Sequence, residues 1–387
     1  LGFRVTAPPD QISLVVAGQS YTGWKEISIT RGIDRCVSTF SMLTMDRPSG
    51  PIVAPFDPIQ IYANTDLLLT GHVETVEIDL DRGRHDVRIT GHSLTKDLTD
   101  CTPDIKPGQY AGFTVAAIAR AICQLFNITA VIQSANANVV VENTNLQRSE
   151  SAFRFLERLC NLAGVLTTDN PMGQLVLTVA GQARSATHLT QGGNLERLRG
   201  SFNVARRFSE YIVKGQAAIG YGNPFNLDGA GGTTGSTSGK VQTAMQAMAI
   251  DAGVPRYRPH VTLAESQLTP QQLQARANWQ RQFAYGKSII VHARLRGFRQ
   301  DNGTLWQPNL MIPLTAPAIY ADDDVLIAQV TYTLDATSNG HVTDLVLGPV
   351  EGYTPDPGSV KLKKQKKGKK GKAGAAGYNF DGAGGFP

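Results

Sequence analysis

The residues that come nearest to a chemical motif are Gly235-Ser236-Thr237-Ser238-Gly239-Lys240, which resemble the start of a phosphate-binding loop. A working loop of that kind follows a strand and sets a hydroxyl after its lysine to hold magnesium. Here the glycines stand one residue too close, Val241 occupies the hydroxyl position and no strand feeds the run. The stretch from Gly220 to Gly239 is instead rich in glycine, serine and threonine, which predicts a mobile loop. The seven histidines are dispersed and form neither H-E-x-x-H nor H-x-H, the spacings that would bring two imidazoles to one zinc. Asp322-Asp323-Asp324 is the densest acidic cluster, but it lacks the spaced ligands and central glycine of a calcium loop; a solvated turn before a strand from Val325 to Leu334 is expected. No G-x-S-x-G elbow occurs, and Glu74 and Asp79 cannot be paired as a glycosidase site without their separation in space. Cys36, Cys101, Cys123 and Cys160 are far apart and predict reduced, structural thiols. Trp24, Trp279 and Trp306 are expected to fill cores and interfaces rather than stack on a ligand. No catalytic, cofactor-binding or metal-ligating residue is predicted.

The net charge of +5 divides unevenly. Residues 361 to 387 hold eight lysines and one aspartate, or +7, leaving −2 on everything before them. A mildly acidic body argues against a fold built to neutralise nucleic-acid phosphates, which needs a clustered basic face. The lysine run cannot bury enough apolar surface to fold and predicts a disordered tail. Within it, Lys363, Lys364, Lys366 and Lys367 form a cationic spacer, and Tyr378, Phe380 and Phe386, separated by glycines, are candidate partner-binding anchors. The chain has no run of some eighteen uncharged apolar residues, and LGFRVTAPPD lacks the apolar core of a signal peptide. A soluble protein made in a cytoplasm is expected, with no membrane partner.

A chain of 387 residues predicts two to four domains. From Ile12 to Tyr62, short runs with period two are punctuated by glycine and proline, and the stretch Leu67 to Thr102 reads as a β-hairpin ending in a polar hinge. This predicts a first tube-like antiparallel β domain over 1–97. The period then becomes helical, with Thr114 and Ser151 placed to cap two helices and Gly164 to end the second; a hairpin turning at Asn170-Pro171-Met172-Gly173 completes an α+β domain over 98–182. A second tube-like β domain is assigned to 183–219 and 286–355, interrupted by a glycine-rich loop and helical segment over 220–285, whose helix starts at Thr269-Pro270. Residues 356–387 are the flexible lysine-rich tail. The fold class is α+β, mainly β: two tube-like antiparallel β-barrels joined by α+β segments. Each β unit closes with a long hairpin, a weak sign of duplication.

The run TGHVETVEIDLDRGRHDVRITGHSLTKDLTDCT resembles the corresponding run in baseplate hub proteins of contractile-tailed phages, above all the Mu-like hubs, which are related to the hub portion of other contractile injection systems. His72, His92, Thr99 and Thr102 depart from that family's tyrosine, arginine, valine and serine. AAIARAICQLFNI, SAFRFLERLCNLAGVLTTDNPMGQLVLT, RRFSEYIVKGQ, GTLWQPNLMIPL and VLIAQVTYTLD are similar to further family segments in the same order, so the resemblance spans most of residues 10 to 355. It implies a virion structural protein with no enzymatic activity. The implied assembly is a homotrimeric hub in the tail baseplate, whose six β domains form a pseudo-sixfold ring adapting a threefold central spike to a sixfold tail tube. The implied partners are the chain itself, the central spike, tail tube and tape-measure proteins and other baseplate proteins, with DNA only in transit through the channel. Sheet edges would be completed by neighbouring subunits. A virion-associated cell-wall hydrolase is the alternative, and a nucleic-acid-binding module, resting on the lysines alone, is a third reading.

Overall fold

The computed structural model describes residues 9–45, 53–82, 85–105, 108–215, 245–264, 268–335 and 340–356. Seven strands open the chain: β1 (Ile12–Val16), β2 (Gln19–Tyr21), β3 (Glu26–Gly32), β4 (Thr39–Met45), β5 (Pro58–Ala63), β6 (Asp66–Leu80) and β7 (His85–Ser93). Alternation fixes their faces. In β3, Ile27 and Ile29 are buried while Ser28 and Thr30 are half-exposed, the period of a sheet with one wet face. The strands run in the order β3-β4-β7-β6-β5-β1-β2, every pair antiparallel.

A mixed unit follows. Helix α1 (Lys96–Asp100), strand β8 (Gln109–Tyr110), helix α2 (Val115–Gln124), strands β9 (Ala130–Ile132) and β10 (Thr144–Asn145), helix α3 (Ala152–Leu162), and strands β11 (Leu166–Asp169) and β12 (Leu175–Thr178) enclose a separate apolar cluster. The helices start where the sequence offers caps: Thr114 Oγ1 accepts from the Ala117 N–H at 3.1 Å and Ser151 Oγ from that of Arg154 at 3.3 Å. Gly164, with φ of +65°, ends α3.

The chain then re-enters the large sheet through β13 (Ala183–Arg184), β14 (Leu189–Thr190) and β15 (Leu195–Phe202), and leaves it again. Strands β16 (Glu210–Lys214), β17 (Gln246–Ile250) and β18 (Pro259–Leu263) form their own sheet, in the order β17-β16-β18, with helix α4 (Pro270–Lys287) on one face. This corrects two expectations. Strand β16 does not belong to the second β unit, because after Phe202 the chain turns off the edge at Asn203, whose side chain accepts from the Ala205 N–H. The inserted segment is more than loop and helix, since Gln246–Ile250 alternates exposed and buried and pairs with β16. Thr269 and Gln272 form a reciprocal capping box at the start of α4, with Pro270 in the first turn.

Strands β19 (Ile289–Arg296), β20 (Leu310–Ala316), β21 (Ala321–Asp335) and β22 (Gly340–Gly348) complete the second β unit in the order β15-β19-β22-β21. Two closed barrels were expected. Among the described residues no pairing closes either unit on itself, because the free side of β3 is taken by β21, from Gln329↔Gly32 to Asp335↔Glu26. Both units thereby become one 14-stranded sheet over one apolar cluster, which includes Leu14, Met42 and Ile61 of the first and Val291, Ile327 and Leu345 of the second. Arg299 ties the same two units at another point, 2.8 Å from Asp10 and 2.6 Å from Asp66.

Candidate assembly interface

The side chains singled out for chemistry are dispersed or structural. Trp24 and Trp306 are buried in the large core, and Trp279 stacks on Phe283 while donating to the Thr354 carbonyl at 2.9 Å. The four cysteines are unpaired; Cys36, Cys123 and Cys160 are buried, and burial pushes the Cys123 and Cys160 thiols up to about 12. Asp322-Asp323-Asp324 is not a turn but the start of β21, paired with Thr315, Leu314 and Pro313 of β20. The turn is made earlier, by Pro317–Ile319 and by Tyr320 at φ of +53°. Asp322 accepts from Thr315 Oγ1, and Asp324 pairs with Arg184. Among the described residues no group of three His, Cys, Asp or Glu side chains converges as a metal site. Lys363, Lys364, Lys366, Lys367, Tyr378, Phe380 and Phe386 lie outside the described residues, as does the phosphate-loop look-alike.

The β6–β7 hairpin is held unusually close. A Cβ on Gly71 would fall 1.9 Å from the His92 carbonyl oxygen, and one on Gly91 would fall 2.1 Å from that of His72. Only glycine fits at either position, which accounts for the two glycines in the repeated Thr-Gly-His at 70–72 and 90–92. The two histidines that depart from the hub pattern face each other across this pair, and His92 Nδ1 lies 2.8 Å from Glu74 Oε1.

Where the hairpin meets the mixed unit, Asp169 at the end of β11 is buried and accepts from the Ser38 N–H at 2.9 Å and from Ser38 Oγ at 2.8 Å. Burial pushes its carboxyl above the usual carboxylate range, against the pull of the Arg31 guanidinium and of the Ser93 and Ser38 hydrogen bonds. Thr95 Oγ1 bonds to Ser93 Oγ and to the Cys36 carbonyl, extending the polar junction. This junction seats the mixed unit on the sheet.

Among the described residues two of the longer strands leave a stretch of sheet edge open. β5 covers only the first half of β6, ending at Pro58↔His72, so Glu74 to Leu80 pair with β7 alone. At the other end β15 pairs with β19 alone. Both edges are amphipathic. Val76, Ile78 and Leu80 lie on the core side of β6, with Ile78 45% and Leu80 65% exposed, while Glu77 and Asp79 lie on the wet side. On β15, Leu198, Gly200 and Phe202 take the core side, Phe202 54% exposed, and Arg197 and Arg199 the wet side beside His292 and Arg294. Sequence reasoning missed these residues. Their signal is the alternation of like charge with apolar residues in Glu77–Leu80 and Arg197–Leu198–Arg199, which shows an edge but not its partner. A further uncovered surface is the outer face of the small sheet, where Met248, Ile250, Val261 and Leu263 are exposed.

The fold is shared with phage tail proteins. It superposes on the 43 kDa tail protein of prophage MuSo2 from Shewanella oneidensis with a TM-score of 0.77, at 24% identity, covering 89% of this chain and 99% of that one. The tail protein from Neisseria meningitidis MC58 gives a TM-score of 0.74 at 19% identity, with 90% and 99% covered. Three family models match in succession: Mu phage baseplate assembly protein GpP-like, N-terminal, over residues 11–93; baseplate hub protein gp44-like, second domain, over 95–179; and Mu phage baseplate assembly protein GpP, fourth domain, over 269–356. The baseplate hub protein gp44 of Escherichia phage Mu is 29% identical over 349 residues, 88% of each chain. Over most of its length the chain is thus similar to Mu-like phage baseplate hub proteins.

Proposed function

We propose that the protein is a non-enzymatic, homotrimeric hub of the virion baseplate, made in the host cytoplasm. It seats the threefold central spike on one side, initiates the sixfold tail tube on the other, and leaves a channel for the genome or the tape-measure protein. One observation carries this reading: a single chain holds two similarly ordered four-stranded units, β3-β4-β7-β6 and β15-β19-β22-β21, paired side by side. Three such chains present three identical faces to one partner and six near-equivalent β units to another, which is how a threefold object is joined to a sixfold one. The open edges agree with a part completed by its neighbours. Mass measurement in solution should give a trimer at micromolar concentration, and images of assembled particles should show a ring of six β units at the head of the tube. A stable monomer, or a ring of another order, would overturn the proposal.

The C-terminal run extends the same reading. Lys363, Lys364, Lys366 and Lys367 would act as a spacer and Tyr378, Phe380 and Phe386 as anchors that tether tail components. Removing residues 361–387 should leave trimer mass unchanged and reduce co-assembly with the spike or the tape-measure protein. Full co-assembly by the shortened chain would refute the tether.

A further inference from the structure

The second β unit repeats the first strand for strand. β3, β4, β7, β6 and β5 lie in that order, and β15, β19, β22, β21 and β20 match them. The two long strands agree in detail. Each has 15 residues, each breaks register once against its hairpin partner, between Val73 and Thr75 or between Ile327 and Gln329, and each carries a short strand along its first half. They differ in one respect. The second half of β21 pairs with β3, whereas the second half of β6 has no strand on that side among the described residues, and neither has β15, the counterpart of β3. The chain therefore contains one finished joint and the two separated halves of another.

The finished joint assigns a register to the unfinished one. Crossing the first unit at one level gives Ser28, Ser41, Thr90 and Thr75; crossing the second gives Arg199, His292, Val346 and Gln329. Arg199 thus stands where Ser28 does, and Thr75 where Gln329 does. In the finished joint Ser28 faces Thr333, four residues beyond Gln329. The equivalent residue, four beyond Thr75, is Asp79. Carried along the strands, the same register sets Val76 against Phe202, Ile78 against Gly200 and Leu80 against Leu198 on the core side. On the wet side it sets Asp79 against Arg199 and Glu77 against Ser201. None of these pairings was chosen for its chemistry, yet the register brings the Asp79 carboxylate to the Arg199 guanidinium and keeps the apolar residues of both edges on one side.

We propose that β6 of one copy pairs antiparallel with β15 of a second copy in this register, and that the acid on one edge and the arginines on the other select head-to-tail closure. Pairing of like edges would set Glu77 and Asp79 against their own copies, or Arg197 and Arg199 against theirs, and like charges directly opposite one another are repelled. Head-to-tail joints generate rings when their rotation closes, whereas a like-with-like joint makes a twofold pair. The number of copies rests on the trimer reading above; the joint is tested separately from it.

In the finished joint Thr30 and Thr331 hydroxyls lie 3.1 Å apart. Their counterparts at the open edges are Ser201 and Glu77. In the full chain, with the exposed Cys101 replaced by serine, Glu77→Cys combined with Ser201→Cys should oxidise to covalent multimers ending at a closed trimer, and neither single cysteine should do so. A protein that is trimeric by mass but does not cross-link would overturn the joint and leave the trimer standing. A chain that is monomeric by mass and does not cross-link overturns both. Independently, Asp79→Arg or Arg199→Asp should each weaken trimer association on the order of a hundredfold, since the clash recurs at every joint. The two together should restore it to within about tenfold of the wild type. Failure of the double variant to recover, with each variant still folded by circular dichroism, would overturn the register.

Discussion

At the scale of single residues, Asp169 shows a carboxyl held in the interior by the nearby Arg31 charge together with hydrogen bonds from Ser93 and Ser38. Ser38 gives it two donors, and Arg31 opposes but does not cancel the cost of burial, so its carboxyl titrates above the usual range. The sign of the linkage follows. A folded-state value above the unfolded one means that the folded protein binds the proton more tightly, so this contribution to stability is fully present below about pH 3.9 and declines as pH rises through the folded value. Asp169→Asn removes that dependence. The stability advantage of the wild type over Asp169→Asn should therefore be largest near pH 4 and shrink towards neutrality, as read by urea unfolding at both pH values; an advantage that grows with pH would refute this. Asp169 was not legible in the sequence as buried, because nothing local distinguishes it from any acid preceding an Asn-Pro turn.

At the scale of elements, the helices and hairpins were legible because their signals are local. Thr114, Ser151 and Thr269 stand at the caps they suggest, and Gly164 ends its helix. Strand partners were not legible. Period two states which face of β16 is buried but not which sheet it joins, and β21 meets β3 across some 300 residues of chain. The acidic triad was misplaced for a related reason: charge marks exposure, and an exposed strand edge is as wet as a turn. The β6–β7 pair supplies a prediction at this scale. Gly91→Ala would drive a methyl against both the His72 carbonyl and the Phe40 ring, the latter 2.7 Å away. It should cost about 3 kcal/mol in chemical denaturation, the upper part of the range for overpacking. A loss within about 0.5 kcal/mol, typical of an unconstrained surface site, would show that the hairpin can part without penalty.

At the scale of the whole molecule, the family was legible through ordered segments, whereas the surfaces that do the work were not. Edges are defined by what is missing beside a strand, and a sequence shows only what is present. Charge points the same way: the −2 of residues 1–360 conceals an acidic edge at β6 and a basic one at β15 that nearly cancel in the sum. The β21–β3 joint has a consequence in time as well as in space. Because synthesis runs from the N-terminus, β3 leaves the ribosome with its outer edge bare, and the strand that covers it emerges some 300 residues later. A chain interrupted before that point keeps the bare edge. The fragment 1–182 should accordingly self-associate more than the full chain in light scattering, and a monodisperse, monomeric fragment would contradict this. Under this ordering a nascent or truncated chain lacks the β21–β3 joint, so the long reach of one strand pairing makes completion of the large sheet depend on a polypeptide read through to residue 335.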